Sequence, residues 1–388
     1  MNSKVSIVKC ANYDREKVIK AVEYSVDLIG GIDKYIKSGA KVLIKPNLLS
    51  PRSPERGKTT HPEIVRAVIR LVRKVGAIPY VGDSPGGNIV TTQTRTTFAN
   101  IEKYWIETGM KKVCDEEKVD LISFETGGVE IFKIKNRKYT PEVIISKVVF
   151  SYDVIINVPK LKTHNLVLFT GAIKNLYGCV PGVRKTEYHK KAINPTNFSQ
   201  LLVDIFSIIK PQLCIMDAIV GMDGQGPSAG RLVNIGAILA SNDMVAIDSV
   251  SCRIFGYKPD DIPTNKIAYL QGLGEMNLNK IEILGEKLEN IFYKNPKRPS
   301  NAIVRNIPQF IIDILGKFVW VRPKINTEKC TICKICVNNC PMKTIVIKDK
   351  YPVIEYKNCI NCMCCHELCN YEAIDIEMSW LASKLVNR

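Results

Sequence analysis

The sequence has no apolar run of about 18 residues, the minimum that reads as a transmembrane helix. It has no G-x-G-x-x-G order and no G-x4-G-K-[ST] loop, so neither the dinucleotide fingerprint nor the phosphate loop is available as a starting point. Its opening, MNSKVSIVKC, runs straight into an apparent strand without a secretory leader, and a cytoplasmic location is expected. Histidine is scarce, 4 among 388 residues, and no two sit at i, i+4, so no helix face for a mononuclear metal is set. A basic stripe with interleaved aromatics is also missing. The formal charge of +17 is dispersed, which disfavours nucleic acid as the partner and leaves an acidic small molecule or an anionic membrane surface.

What is abundant is cysteine, 14 in all. Eight of these form two C-x2-C-x2-C-x3-C runs: Cys330, Cys333, Cys336 and Cys340, then Cys359, Cys362, Cys365 and Cys369. The first cysteines of the two runs are 29 residues apart, and Ile345 and Ile374 extend the repeat. Such spacing lets three thiolates of one loop converge on one 4Fe–4S cluster, with the fourth cysteine of each run going to the other cluster. The assignment is therefore Cys330, Cys333, Cys336 and Cys369 to one cluster, and Cys340, Cys359, Cys362 and Cys365 to the other. A pair of structural zinc sites is the alternative. Cluster thiolates need a reducing compartment. This part resembles bacterial-type two-cluster ferredoxins over about residues 324–378. One departure is Asn370, where the first run has Pro341.

Before the cysteines, strand-like and helix-like patterns alternate for about 290 residues, which indicates a large α/β domain with a mixed, mostly parallel sheet. The expected division is an α/β domain over 1–290, a linker and amphipathic docking helix over 291–323, an α+β two-cluster ferredoxin-like domain over 324–378, and a tail over 379–388. Lying on a membrane surface, with Phe318 and Trp320 as anchors, is the alternative role for the helix near 303–321. Thr60 is expected to cap the helix that opens at His61-Pro62.

In such sheets, chemistry gathers in loops beyond the carboxyl ends of strands. The segment 157–191 is the most loaded of these. Lys160, Lys162 and His164 alternate, so extended backbone puts them on one side. Lys174, Asn175 and His189 follow among glycines. Clustered cations beside a glycine-lined loop suit an anionic substrate or cofactor, and a neutral histidine among ammonium groups can move a proton near neutral pH. Lys160, Lys162, Lys174, His164 and His189 are the catalytic candidates. Lys45 and Asn47 after one strand, Asp83 and Ser84 in a Gly-Asp-Ser-Pro-Gly-Gly turn, and Asn175, Asp217 and Asp223 are the cofactor-binding candidates. Asp243 reads as a helix cap.

Five stretches in order resemble the domain of unknown function 362 family: KPNLL at 45–49, HPEIVRAVIRLVRKVGAIPYVGDSPGG at 61–87, PKLKTHNLVLFTGAIKNLYG at 159–178, DAIVGMDGQGP at 217–227 and LASNDMVAIDSVSCRIFG at 239–256. The resemblance covers roughly residues 5–290 and implies an iron–sulfur protein, a redox enzyme with no general substrate. The expected function is a reductase that takes electrons from a redox partner protein or low-potential donor and passes them from two 4Fe–4S clusters to an anionic small molecule. An additional organic cofactor is left open. The alternatives are an electron relay or carrier without chemistry of its own, and a basic nucleic-acid binder with structural clusters.

Overall fold

Short runs rich in valine and isoleucine build a central sheet. Its strands are β1 (Ser3–Lys9), β2 (Lys41–Pro46), β3 (Ile78–Asp83) and β4 (Leu121–Ser123). A separate hairpin follows, β5 (Val129–Lys133) with β6 (Glu142–Ser146). The sheet resumes with β7 (Val154–Val158), β8 (Lys160–His164), β9 (Leu168–Thr170), β10 (Leu213–Asp223), β11 (Arg231–Ser241) and β12 (Ile281–Gly285). This computed structural model describes residues 2–84, 98–182, 184–192, 194–299 and 320–386.

The order across the sheet is β12-β1-β11-β10-β7-β2-β3-β4, with β8 and β9 attached beside β10. Strands β2, β3, β4 and β7 run parallel, β10 is parallel to β7 and β8, and β12 is parallel to β1. Only β11 and β9 run antiparallel to their neighbours in this sheet. The fold is α/β. Period-two alternation splits the core into two layers. Leu43, Met216 and Leu239 join Phe198, Leu202 and Val245 in one. Ile44, Ile156 and Ile215 join Val22, Val68 and Val72 in the other. Helices Arg15–Leu28 and Pro62–Lys74 supply the second layer, and Pro195–Ile209 and Met244–Cys252 the first.

One expected cap is displaced. The helix Pro62–Lys74 is capped by His61, whose Nδ1 accepts from the Glu63 amide at 3.2 Å. Thr60 is used elsewhere: its hydroxyl donates to the Val158 carbonyl at 2.7 Å and accepts from the Asn47 amide at 2.8 Å. It thereby ties the ends of β2 and β7 together.

The C-terminal unit has two antiparallel pairs, β13 (Val321–Ile325) with β16 (Ile374–Met378) and β14 (Ile345–Lys348) with β15 (Tyr351–Ile354). Strand β13 starts inside the stretch read as linker. The stretch read as a tail forms a helix, Trp380–Val386, and the Ser379 amide donates to the Trp320 carbonyl at 2.9 Å. Most of the docking or membrane helix read at 303–321, including Phe318, lies outside the described residues. Trp320 belongs to the small unit, its ring centroid 3.9 Å from the Arg322 guanidinium. No helix among the described residues is long and apolar enough to cross a membrane.

The 29-residue repeat is written into the backbone as well. Left-handed conformations recur at Ile332 and Asn361, at Lys334 and Met363, and at Lys343 and Glu372. Each partner of a pair holds the same place in its cysteine run. Short helices Ile335–Asn338 and Cys364–Leu368 repeat at the same interval.

Candidate functional site

Strands β7 and β8 run along β10 with only Pro159 between them, so the chain stays extended past the end of β7. That extension carries Lys160, Lys162 and His164 into the interior, where all three are buried. A buried ammonium must be answered by acceptors or by charge. Lys160 donates to Asp217 at 2.9 Å and to the Tyr13 hydroxyl at 2.6 Å. Asp217 also accepts from the Tyr13 hydroxyl and the His61 amide, both at 2.9 Å. Burial pulls the Lys160 pKa down and Asp217 opposes it. At the end of β2, Lys45 donates to Asp83 at 2.8 Å, and Asp83 accepts from the Leu48 amide at 3.0 Å. Burial pushes the Asp83 carboxyl up, with Lys45 opposing. These two lysines are neutralised by their own carboxylates and hold strand ends in place. Gly178 is required beside them, since a Cβ there would lie 2.4 Å from Asp83 Oδ1 and 2.5 Å from Lys45 Nζ.

Lys162 and Lys174 are different. The Lys162 ammonium donates to Asn47 Oδ1 at 2.8 Å and to the Lys58 carbonyl at 2.7 Å, and its acceptors are neutral. Burial, then the charges of Lys174 and Lys160, push its pKa well below the ordinary lysine value. Lys174 has no hydrogen-bond acceptor among the described residues, and burial lowers its pKa too. Asparagines fix the frame. Asn47 Nδ2 donates to Asn175 at 3.1 Å, Asn175 to Asn157 at 2.7 Å, and Asn157 to the Ala172 carbonyl at 2.8 Å. Asp248 holds the short helix Ala172–Asn175 by accepting from the Ala172 amide at 2.6 Å and the Ile173 amide at 3.0 Å.

His164 Nδ1 accepts from the Leu166 amide at 3.0 Å and the Val167 amide at 3.3 Å. The hydrogen of a neutral imidazole is then assigned to Nε2. Nε2 faces Glu367 Oε1 at 3.4 Å. His189 sits apart from this contact. Its ring stacks on Phe198 at 4.3 Å and meets Tyr177 edge-on at 6.0 Å. Burial, assisted by the Lys174 charge, lowers its pKa to about 3, so it is neutral at ordinary pH.

The remaining candidates fall into two other places. Ser84 follows β3 and bonds through its hydroxyl to Glu125 and Lys185; Lys185 also donates to the Ser84 carbonyl at 2.9 Å. The Pro85-Gly86-Gly87 part of that turn lies outside the described residues. Asp223 is clamped by Arg231, with bonds of 3.1 and 2.7 Å, and accepts from the Lys297 amide at 2.8 Å. It anchors the chain after the α/β domain and does not join the lysines. Asp243 accepts from the Val245 and Ala246 amides, both at 2.9 Å, as a helix cap. A groove of about 800 Å³ opens by Ser3, Lys210 and Asp243, at the amino ends of β1 and β10, and none of the candidate site residues lines it.

The C-terminal unit is docked on the lysines. Glu367, on helix Cys364–Leu368, is buried, and burial raises its carboxyl pKa to about 7 against the pull of Lys174 and Lys162. Glu372 accepts from Lys58 Nζ at 2.9 Å, and the Arg52 guanidinium lies 6.0 Å from the Tyr371 ring centroid. Sequence reading missed Glu367, Glu372 and Lys58. Glu367 looks like a spacer inside a cysteine run, and Lys58 and Glu372 are 314 residues apart.

The eight cysteines line two small cavities. One, of about 20 Å³, is bordered by Cys340, Cys359, Cys362 and Cys365; the other, also of about 20 Å³, by Cys330, Cys333, Cys336 and Cys369. The Thr344 amide donates to Cys340 Sγ at 3.3 Å and the Ala373 amide to Cys369 Sγ at 3.2 Å, again at equivalent places in the repeat. Among the described residues, no three His, Cys, Asp or Glu side chains converge as a single metal ion requires.

These features define an α/β protein with a buried, cation-rich site against which a small cysteine-rich unit rests. The chain belongs to the family described as Domain of unknown function (DUF362), which matches residues 42–253. It is similar to a thylakoid-associated protein of Synechocystis sp., 32% identical over 265 residues, covering 68% of this chain and 78% of that protein. An uncharacterized polyferredoxin-like protein of Methanocaldococcus jannaschii is 30% identical over 118 residues, covering 26% of this chain and 66% of that protein. Among solved structures, the lactate racemase apoprotein of Thermoanaerobacterium thermosaccharolyticum aligns with 65% of this chain and 57% of its own, at 13% identity and a TM-score of 0.40, too low to bear on fold or chemistry.

Proposed function

We propose that this chain is an iron–sulfur oxidoreductase: its cysteine quartets hold two 4Fe–4S clusters, and its buried lysines hold the anion that is reduced. The observation that carries this reading is the docking of the second cysteine run on the lysines, through Glu367 at 3.4 Å from His164. Each quartet borders one cavity, and the doubled C-x2-C-x2-C-x3-C spacing suits a four-iron cubane better than tetrahedral zinc. Amide hydrogens on Cys340 and Cys369 favour thiolates and tune a cluster's potential. When bound, the clusters supply low-potential electrons one at a time.

The chain's own residues do the rest. Lys162 and Lys174 bind the anion, and Asn47 orients Lys162. His164 presents a proton at Nε2, where its two backbone donors to Nδ1 aim it. Buried apolar side chains such as Phe169 and Leu176 exclude water, which strengthens each of these charge interactions. Cys333 is exposed, so a redox partner or low-potential donor approaches the first quartet while the second faces the lysines. Reduced thiols suit the cytoplasm.

The test is protein purified without oxygen. It should carry iron and acid-labile sulfide equivalent to two 4Fe–4S clusters, and after reduction its clusters should reoxidise faster with an anionic substrate. Lys162→Met should keep the iron and lose that acceleration. Zinc in place of iron, or reoxidation indifferent to Lys162, would remove the reading.

A further inference from the structure

The lysine site already holds a carboxylate, and it comes from outside the α/β domain. Glu367 Oε1 lies 3.4 Å from His164 Nε2, and Lys174 and Lys162 are the charges acting on it. Yet the fit is loose. Glu367 Oε1 is buried without a hydrogen bond of normal geometry, Lys174 has no acceptor among the described residues, and Lys162 has only neutral ones. Neither lysine has a carboxylate within ion-pair distance among the described residues, so the cationic form of each lacks a bonded counter-charge. What keeps Glu367 there is its neighbourhood: Lys58 grips Glu372 at 2.9 Å and Arg52 lies over Tyr371 at 6.0 Å, both outside the lysine pair.

We propose that the Lys162–Lys174–His164 site takes the carboxylate group of a small-molecule ligand, and that the Glu367 side chain holds that place until the ligand's carboxylate replaces it while the cysteine run stays docked. The proposal rests on the anion site of the preceding reading but not on electron transfer. The donors available to a ligand are ammonium groups and one imidazole N–H. A free carboxylate brings two oxygens and can bond Lys174 and His164 Nε2 together, which Glu367, tied to its own helix, does not. The ligand and the Glu367 carboxylate then compete, and the apparent affinity of the ligand is lowered by the fraction of molecules in which Glu367 is seated.

The experiment is calorimetric titration of the anaerobically purified full chain with malonate, and separately with inorganic phosphate, after matching variants for iron content. Glu367→Gln keeps the shape and removes the competing charge; malonate should bind roughly tenfold more tightly than to wild type. Glu367→Gln combined with Lys174→Ala should lose the gain. Lys58→Ala cuts the outer tether while leaving the Lys58 carbonyl on Lys162, and should move affinity the same way by a smaller factor. Equal malonate affinity in wild type, Glu367→Gln and Lys58→Ala overturns the placeholder. Phosphate gaining as much as malonate overturns the carboxylate class, and no malonate binding in any variant overturns the site. Substrate-dependent cluster reoxidation is measured independently of all four, so the redox reading stands or falls by itself.

Discussion

Six buried or nearly buried lysines lie among the described residues, and their partners sort them. Lys45 and Lys160 have carboxylates, Lys58 has Glu372, Lys185 bonds Ser84, and neither Lys162 nor Lys174 has a carboxylate within ion-pair distance among the described residues. Removing one partner of a buried pair costs about 3–5 kcal/mol because the other charge is stranded. Asp217→Asn should therefore lower the free energy of unfolding by about that amount in urea melts. Lys162→Met strands no charge and leaves two neutral acceptors, so it should cost only about 1–3 kcal/mol. If Lys162→Met were the more damaging of the two, the division between structural and ligand-binding lysines would fail.

His189 gives a pH signature at the same scale. Its folded-state pKa is about 3, against about 6.5 in an unfolded chain. Between those values the unfolded state binds a proton that the folded state refuses, so stability rises with pH through this window and is fully present above it. His189→Phe should flatten that rise, seen as a smaller difference in melting temperature between pH 4 and pH 7 relative to wild type. His61, lowered to about 4 by burial, contributes in the same sense and remains in the variant.

At the scale of elements, the site depends on a helix of four residues, Ala172–Asn175, too short to stand unaided. Asp248 supplies its missing acceptors. Asp248→Ala should cost about 1–3 kcal/mol by leaving two buried amides unpaired. Gly171→Ala should be at least as damaging, since a Cβ would fall 2.1 Å from Asp248 Oδ1. Both are read from thermal melts, and both should weaken anion binding by shifting Lys174. Element identity was partly legible in the sequence here: alternation and apolar runs mark β2, β7 and β10, whereas β8 and β9 lie in a stretch without such a pattern. The helix start at Pro62 was legible too, but not its cap. Thr60 is the better cap by residue type, yet its hydroxyl is drawn to Val158 and Asn47, and the neighbouring His61 ring takes the helix amide.

At the scale of the molecule, the C-terminal unit has a small apolar core in which buried Ile345, Ile354, Cys365 and Ile374 are central. A unit of this size needs staples beyond its hydrophobic core. On the iron–sulfur reading, the clusters are those staples. Stripping iron with a chelator under mild acid should abolish hydrogen-exchange protection over 321–378 while β2, β7 and β10 keep theirs. Uniform loss over both units, or none, would contradict this division.

The sequence alone determined what depends on near neighbours: the alternation that makes an α/β sheet, the Lys160–Lys162–His164 face, and the cysteine runs, each set by covalent spacing along a few residues. Partners were decided only by the tertiary structure. Lys160 meets Asp217 across 57 residues, Lys45 meets Asp83 across 38, and Lys58 meets Glu372 across 314. Nothing in chain spacing encodes these pairs, because they exist only once strands have ordered and the small unit has docked. The same physics separates the lysines that brace the fold from the two that face Glu367: a charge is structural when folding brings its own counter-charge to it, and free to bind when folding does not.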